Sequence, residues 1–265
     1  MNLIKNASKA ILRPFREAAG RFVLLPKVDR EHFQATIFYK AAEITTAELV
    51  RGDYLEFGVF GGVSFANAFQ TLKRVYEEKS ADPRRLHTAE YRTKVRAAWE
   101  SMRFFAFDSF AGLPETHGLD IRSNDFTGGK FSCSVEDFTQ NLRGHSCDLD
   151  KVVIVPGWFD ATCCDSTLEK HALRRASIVH IDCDLYESTK VVLKFISPLL
   201  VDGTVIIFDD WYCFRGDPRL GEQRAFAEWT ETMPEWIFTQ YQKEGPWRNS
   251  FIANHRAQRE QPLKI

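Results

Sequence analysis

The stretch SIVHIDCD (177–184) and the stretch GTVIIFDDW (203–211) are each a short, continuous apolar run ending in aspartates. Such runs, bounded by turn signals, are what strands buried on both faces of a parallel sheet look like. Between them, Val191, Val192, Phe195, Ile196 and Leu199 recur at helical spacing and predict a helix over 186–200. Working outward, YLEFGV (54–59), FFAFDSF (104–110) and KVVIVPG (151–157) repeat the strand pattern. WIFTQY (236–241) and NSFIAN (249–254), separated by the turn-rich KEGPWR, predict a hairpin at one sheet edge. Further helices are expected over 32–50, 63–80, 134–143, 163–174 and 219–232. The pattern is that of an α/β fold with a doubly wound, mostly parallel sheet.

At 265 residues, with 44% hydrophobic and 13% aromatic content, the chain can bury one substantial core. We expect one domain over 31–265, with a charged helical insertion at about 81–101, preceded by an amphipathic helical segment over 1–30. That first segment sets Lys5, Lys9, Arg13, Arg16, Arg21 and Lys27 against Glu17. It is read as packing on the domain, a second subunit or the site entrance rather than as a membrane anchor. A formal net charge of −1 provides no footprint for a polyanion, which excludes nucleic acid as an expected partner. The six cysteines form neither a CxxC pair nor a zinc spacing, and no signal peptide is read at the start, so a reducing, cytoplasmic setting is expected.

Ligands of open α/β sheets sit outside the carboxyl ends of the strands, so the loops there carry the chemistry. After the first strand, Gly58-Val59-Phe60-Gly61-Gly62-Val63-Ser64 is a glycine-rich strand-to-helix turn where a ligand can approach the backbone, though it is not a GxGxxG fingerprint. The second strand ends in Asp108-Ser109, and a carboxylate there can accept ribose hydroxyls, making Asp108 the ribose candidate. Trp158 and Phe159, after the third strand, can wall an adenine ring or serve as packing. The fourth strand ends in Asp182 and Asp184 and the fifth in Asp209 and Asp210. Four carboxylates on adjacent strand ends repel unless neutralised, and a hard cation such as Mg²⁺ is the economical countercharge. Asp184 is also a candidate cap for the following helix, and His180 is set aside as a core histidine.

Taken together, LEFGVFGGVS, FAFDSFAGLPE, VPGWFDATCC, HIDCDLYEST and TVIIFDDW resemble the macrocin O-methyltransferase (TylF/MycF) family of class I methyltransferases, in order from about residue 35 to 230. The resemblance implies a seven-stranded sheet with a terminal hairpin. It also implies an S-adenosylmethionine site built by Glu56, Gly58, Ser64, Asp108, Ser109 and Trp158. By position it implies Asp182, Asp209 and Asp210 as Mg²⁺ ligands and Asp184 as general base. The implied reaction is magnesium-dependent methyl transfer to a hydroxyl of a sugar or glycosylated secondary metabolite, in an enzyme that forms homo-oligomers. A phenol or catechol acceptor is the nearest alternative, because the same cation serves two phenolic oxygens. A nicotinamide-dependent oxidoreductase is the alternative from another class, and the missing GxGxxG argues against it.

Overall fold

The computed structural model describes residues 34–82, 86–122, 126 and 128–257. The expected N-terminal segment 1–30 lies outside the described residues. The seven strands are β1 (Asp53–Phe57), β2 (Phe104–Asp108), β3 (Val152–Pro156), β4 (Ala176–Ile181), β5 (Thr204–Phe208), β6 (Trp236–Glu244) and β7 (Arg248–His255). They form one sheet in the order β3-β2-β1-β4-β5-β7-β6, with β1 to β5 parallel and β7 antiparallel to both β5 and β6. The doubly wound sheet and its terminal hairpin are therefore as the apolar runs predict. Strand order reverses between β1 and β4, and the crevice opened there lies at the carboxyl ends of those strands.

Alternation along the strands divides the core in two. Tyr54, Phe104, Ala106, Ile178, Val205 and Ile207 face one hydrophobic cluster, shared with α1 (Ile37–Ala47), α2 (Val63–Ala81) and α3 (Ala89–Ser101). Leu55, Phe57, Phe107, Val179, Ile181 and Phe208 face the other, with α7 (Tyr186–Ile196) and α8 (Gly221–Glu231). The remaining helices are α4 (Val135–Gly144), α5 (Phe159–Thr162) and α6 (Asp165–Lys170). Within the charged 81–101 stretch, α3 turns Val95 and Ala98 into the core, and Trp99 meets Phe69 and Phe104 at ring-centroid distances of 5.9 Å. Each such buried aromatic contributes about 1.5–3 kcal/mol of transfer free energy.

One helix differs from expectation. The 163–174 stretch is helical only over Asp165–Lys170 (α6): Cys164 is extended (φ −143°, ψ 166°), separating it from the short α5, and the helix ends before His171. Asp165, Ser166 and Thr167 are residues that favour helix starts over helix interiors, which places the break ahead of them.

The long β2–α4 connection is fastened to the start of α7 by a buried carboxylate. Asp120 accepts hydrogen bonds from the Tyr186 N–H (2.8 Å) and the Glu187 N–H (3.3 Å), capping α7 from another part of the chain. Leu185, at the cap position itself, offers no side-chain acceptor. Asp120→Ala is expected to cost about 1–2 kcal/mol, the worth of a helix cap whose donors become orphaned. Urea denaturation should show a lowered midpoint with an unchanged slope; an unchanged midpoint would dismiss the capping role.

Candidate active site

A cavity of about 560 Å³ opens at the carboxyl ends of β1, β2, β4 and β5. Gly58, Asp108, Ser109, Trp158, Asp182, Asp184, Asp209 and Asp210, all singled out from sequence, line it together. Glu56 and Ser64 do not. Glu56 is fully buried beneath the glycine turn and accepts hydrogen bonds from the Tyr54 and Ser64 hydroxyls, so these residues brace one another instead of lining the cavity.

The nucleotide-side residues are tied to each other. Asp108 Oδ2 accepts from the Val59 N–H (2.8 Å) and the Phe60 N–H (3.0 Å), while Oδ1 accepts from the Phe110 N–H (2.7 Å). The carboxylate thus pins the glycine turn from a neighbouring strand end. A carboxylate has about four lone-pair sites, so little capacity remains for ribose hydroxyls beyond these three donors. The Ser109 hydroxyl donates to the Gly112 carbonyl (2.8 Å) and accepts from the Ala111 N–H (3.1 Å), closing a local turn at the cavity wall. Trp158 is 43% exposed beside them.

At the other end, the three aspartates expected as ligands do not form one group. Asp182, Asp184 and Asp210 present carboxylate oxygens within 4.8 Å of one another, whereas Asp209 falls in a second group with His180 and Asp182. The reason is the charge already beside Asp209. Its Oδ1 accepts from Arg248 Nε at 2.5 Å and lies 3.1 Å from His180 Nε2. Burial pushes the Asp209 carboxyl up, but His180 and Arg248 outweigh it and hold the pKa at about 2. Burial pushes Asp182 and Asp184 well above the usual carboxylate range, and neighbouring carboxylates push them further. Asp184 sits in the left-handed region (φ 60°), which aspartate tolerates better than most residues, and this turn breaks strand alternation after Asp182.

His180, set aside in the sequence, is fully buried and forms the bridge of a polar chain. Its Nδ1 stands 3.5 Å from Glu56 Oε2, an ion-pair separation rather than a formed hydrogen bond. Burial favours the neutral ring, but Glu56 and Asp209 raise its pKa to about 10. Phe38 of α1 packs edge-on against the imidazole at 5.2 Å. The signal for this bridge was present in the sheet register, which pairs Glu56 with His180 across β1 and β4. Arg248 and Glu222 carried no such signal. Glu222, 1% exposed on the first turn of α8, accepts from the Asp210 N–H at 3.0 Å.

The Arg248–Asp209 pair ties the terminal hairpin to the site. Arg248→Met removes the guanidinium from Glu244 and leaves Asp209 facing His180 alone. Loss of one partner from a fully buried pair costs about 3–5 kcal/mol, and partial exposure (30% for Arg248, 22% for Asp209) reduces the expected loss to about 2 kcal/mol. In a double-mutant cycle with Asp209→Asn, a coupling of about 1–2 kcal/mol is expected; additive single losses would refute the pairing.

The Asp182–Asp184–Asp210 group could hold a divalent cation. Its donors are all oxygen, which suits Mg²⁺, and buried Asp210 Oδ2 has no hydrogen-bond donor among the described residues.

A parallel sheet that reverses between β1 and β4 and ends in an antiparallel edge is a Rossmann-like fold, and it is shared with solved O-methyltransferases. CalS11, a calicheamicin methyltransferase, superposes with a TM-score of 0.61 at 22% identity, over 85% of this chain and 80% of that one. The O-methyltransferase NovP superposes at 0.58 and 18% identity, over 83% and 79%. Residues 93–223, just under half of the chain, match the macrocin-O-methyltransferase (TylF) family, and four of the five motifs that carry the resemblance lie within that span. A 4′-O-methyltransferase of 8-demethyl-8-(2,3-dimethoxy-alpha-L-rhamnosyl)-tetracenomycin-C from Streptomyces olivaceus is 31% identical over 115 residues, 41% of this chain and 42% of that protein. Demethyldecarbamoylnovobiocin O-methyltransferase from Streptomyces niveus is 27% identical over 114 residues, 39% and 40% of the two chains. The alignments thus span about two fifths of the length of these relatives.

Proposed function

We propose that the protein is an S-adenosylmethionine-dependent O-methyltransferase acting on a hydroxyl of a sugar or glycosylated metabolite, with a divalent cation held by Asp182, Asp184 and Asp210. The observation that carries this reading is the meeting, in one cavity, of the glycine turn braced by Asp108 with the clustered carboxylates of Asp182, Asp184 and Asp210. The tetracenomycin-glycoside and novobiocin relatives support the acceptor class.

The sulfonium of the cofactor supplies an already activated methyl group, so the protein's main task is to align an acceptor oxygen in line with the departing sulfur. Gly58 and Trp158 form the cofactor wall, with the turn above Gly58 fixed by Asp108. A divalent cation at the carboxylate group would lower the pKa of a chelated hydroxyl and fix its orientation. Asp184, beside Asp210 at the cavity wall, accepts the hydroxyl proton. Asp209 works through its neighbours, keeping His180 and Arg248 in place behind Asp182.

Calorimetry with S-adenosylhomocysteine and with NAD, each with and without Mg²⁺, tests the class. Heat from S-adenosylhomocysteine and none from NAD is the expected result. The reverse pattern would replace methyl transfer with nicotinamide chemistry.

No helix among the described residues is long and apolar enough to cross a membrane. Cytoplasmic placement and self-association remain part of the proposal, the latter read out by the mass of the protein in solution.

A further inference from the structure

We infer that Glu222, on the first turn of α8, is a positioning residue for the carboxylate of Asp210, and that its hold sets how sharply the site separates Mg²⁺ from Ca²⁺. This rests on the cation reading above and names a residue outside the cavity lining that fixes the geometry within it.

The argument starts where β5 ends. The Asp209 N–H still donates across to the Ile181 carbonyl of β4 (2.9 Å), as a strand residue does, whereas the Asp210 N–H donates to Glu222 Oε2 (3.0 Å). The Asp210 carbonyl accepts from the Cys213 N–H (2.9 Å), and Cys213 Sγ donates to Asp210 Oδ1 (3.1 Å). One residue further on, the Trp211 carbonyl accepts from Gln223 Nε2 (2.7 Å). With its N–H, carbonyl and Oδ1 engaged, Asp210 is left with Oδ2. That oxygen is buried, has no hydrogen-bond donor among the described residues, and belongs to the group with Asp182 and Asp184.

The support behind this hold is firm. Ala225, Phe226 and Trp229 of α8 are buried in the core, and Phe226 meets Phe208, the last residue of β5, at 5.3 Å. Helix and strand end are thus packed on each other, while the connection between them runs through left-handed Phe214 and Arg215 (φ 55° and 63°). Glu222 and Gln223 reach back across that connection to its first residues. Asp210 therefore takes its orientation from the core and not from the loop.

Stability alone gives no reason for an acid at this position. Glu222 is 1% exposed, lies within electrostatic reach of Asp182, Asp184, Asp209 and Asp210, and its Oε1 has no hydrogen-bond partner among the described residues. A buried carboxyl so placed is disfavoured against an apolar side chain of similar volume. What Glu222 supplies is one acceptor at one place, the Asp210 N–H. Cation choice follows from how firmly a ligand is held: Mg²⁺ demands near-octahedral geometry at short oxygen distances, whereas Ca²⁺ accepts variable ligand numbers and angles. A carboxylate fixed through its N–H, carbonyl and Oδ1 suits the first, and one free to swing suits the second.

The test is calorimetry with MgCl₂ and with CaCl₂ on the full chain saturated with S-adenosylhomocysteine, without any acceptor. Glu222→Leu is expected to weaken Mg²⁺ binding about tenfold or more and Ca²⁺ binding less than about threefold, with S-adenosylhomocysteine affinity unchanged. Glu222→Gln keeps an acceptor for the Asp210 N–H and should hold Mg²⁺ affinity within about threefold of the parent protein. Gln223→Leu, which releases the Trp211 carbonyl without touching an acid, should weaken Mg²⁺ about threefold, and it carries the test if Glu222→Leu does not fold. Equal losses for the two cations in Glu222→Leu overturn the inference, as does a Glu222→Gln protein that binds Mg²⁺ as poorly as Glu222→Leu. So does parent-like Mg²⁺ affinity in Gln223→Leu where Glu222→Leu is unfolded. A parent protein that gives no Mg²⁺ heat is a separate result and removes the cation reading itself.

Discussion

Asp210→Asn is expected to lower methyl transfer by about 10²–10³-fold, the scale of losing one electrostatic contact to the reacting group, while S-adenosylhomocysteine binding stays intact. The substitution keeps the shape of the side chain and removes its charge. Cys213 Sγ lies 3.1 Å from Asp210 Oδ1, and the Asp210 N–H donates to Glu222, so the local frame survives. What is lost is the charge on the buried Oδ2, which has no hydrogen-bond donor among the described residues and belongs to the group with Asp182 and Asp184. Mg²⁺ affinity, measured by calorimetry without any acceptor, should fall about tenfold or more. Asp209→Asn should behave differently, because the charge removed there faces Arg248 and His180. Its larger effect should be on unfolding, with a smaller one on Mg²⁺ affinity. If Asp210→Asn binds Mg²⁺ and turns over like the parent protein, the cation does not sit at this group.

This contrast between two adjacent aspartates marks the boundary of what the sequence reveals. The strands were legible because buried parallel strands are continuous apolar runs, and the helix over 186–200 because its apolar stripe repeats every turn. Strand ends were legible for the same reason: Asp108, Asp182, Asp184, Asp209 and Asp210 each follow such a run, and the sheet order gathers them at one cavity. The division of labour among them was not legible. Arg248 lies 39 residues beyond Asp209 and reaches it because β7 pairs with β5, setting Asn249, the next residue in β7, opposite Phe208. A hairpin can be predicted from turn residues, but which side chain on it meets a particular carboxylate depends on register. Glu56 carries the same lesson. The resemblance implies a cofactor contact, whereas alternation turns Glu56 to the face of Tyr54, and the register places it beside His180.

Gly58→Ala is expected to destabilise the protein by about 3–5 kcal/mol, in the range reserved for severe overpacking and backbone strain, or to prevent folding. The sequence suggested this glycine as a place for a ligand to approach the backbone. The structure gives it a nearer neighbour. A Cβ on Gly58 would lie 1.8 Å from the Asp182 carbonyl oxygen, and its φ of +86° is one that alanine adopts only with strain. The ends of β1 and β4 would have to part, straining the hydrogen bond from the Asp182 N–H to the Phe57 carbonyl (2.8 Å). Asp182 would move with them, so a folded variant should also bind Mg²⁺ more weakly, although residue 58 carries no ligand atom. Gly61→Ala provides the control. Its Cβ would meet only Asn141 Nδ2, at 3.8 Å, and it lacks a positive φ, so stability should change by no more than about 1 kcal/mol. Urea denaturation of both variants, with Mg²⁺ calorimetry on any that fold, separates the two glycines. Equal and small effects would mean that the close approach of β4 to Gly58 is not what fixes this turn.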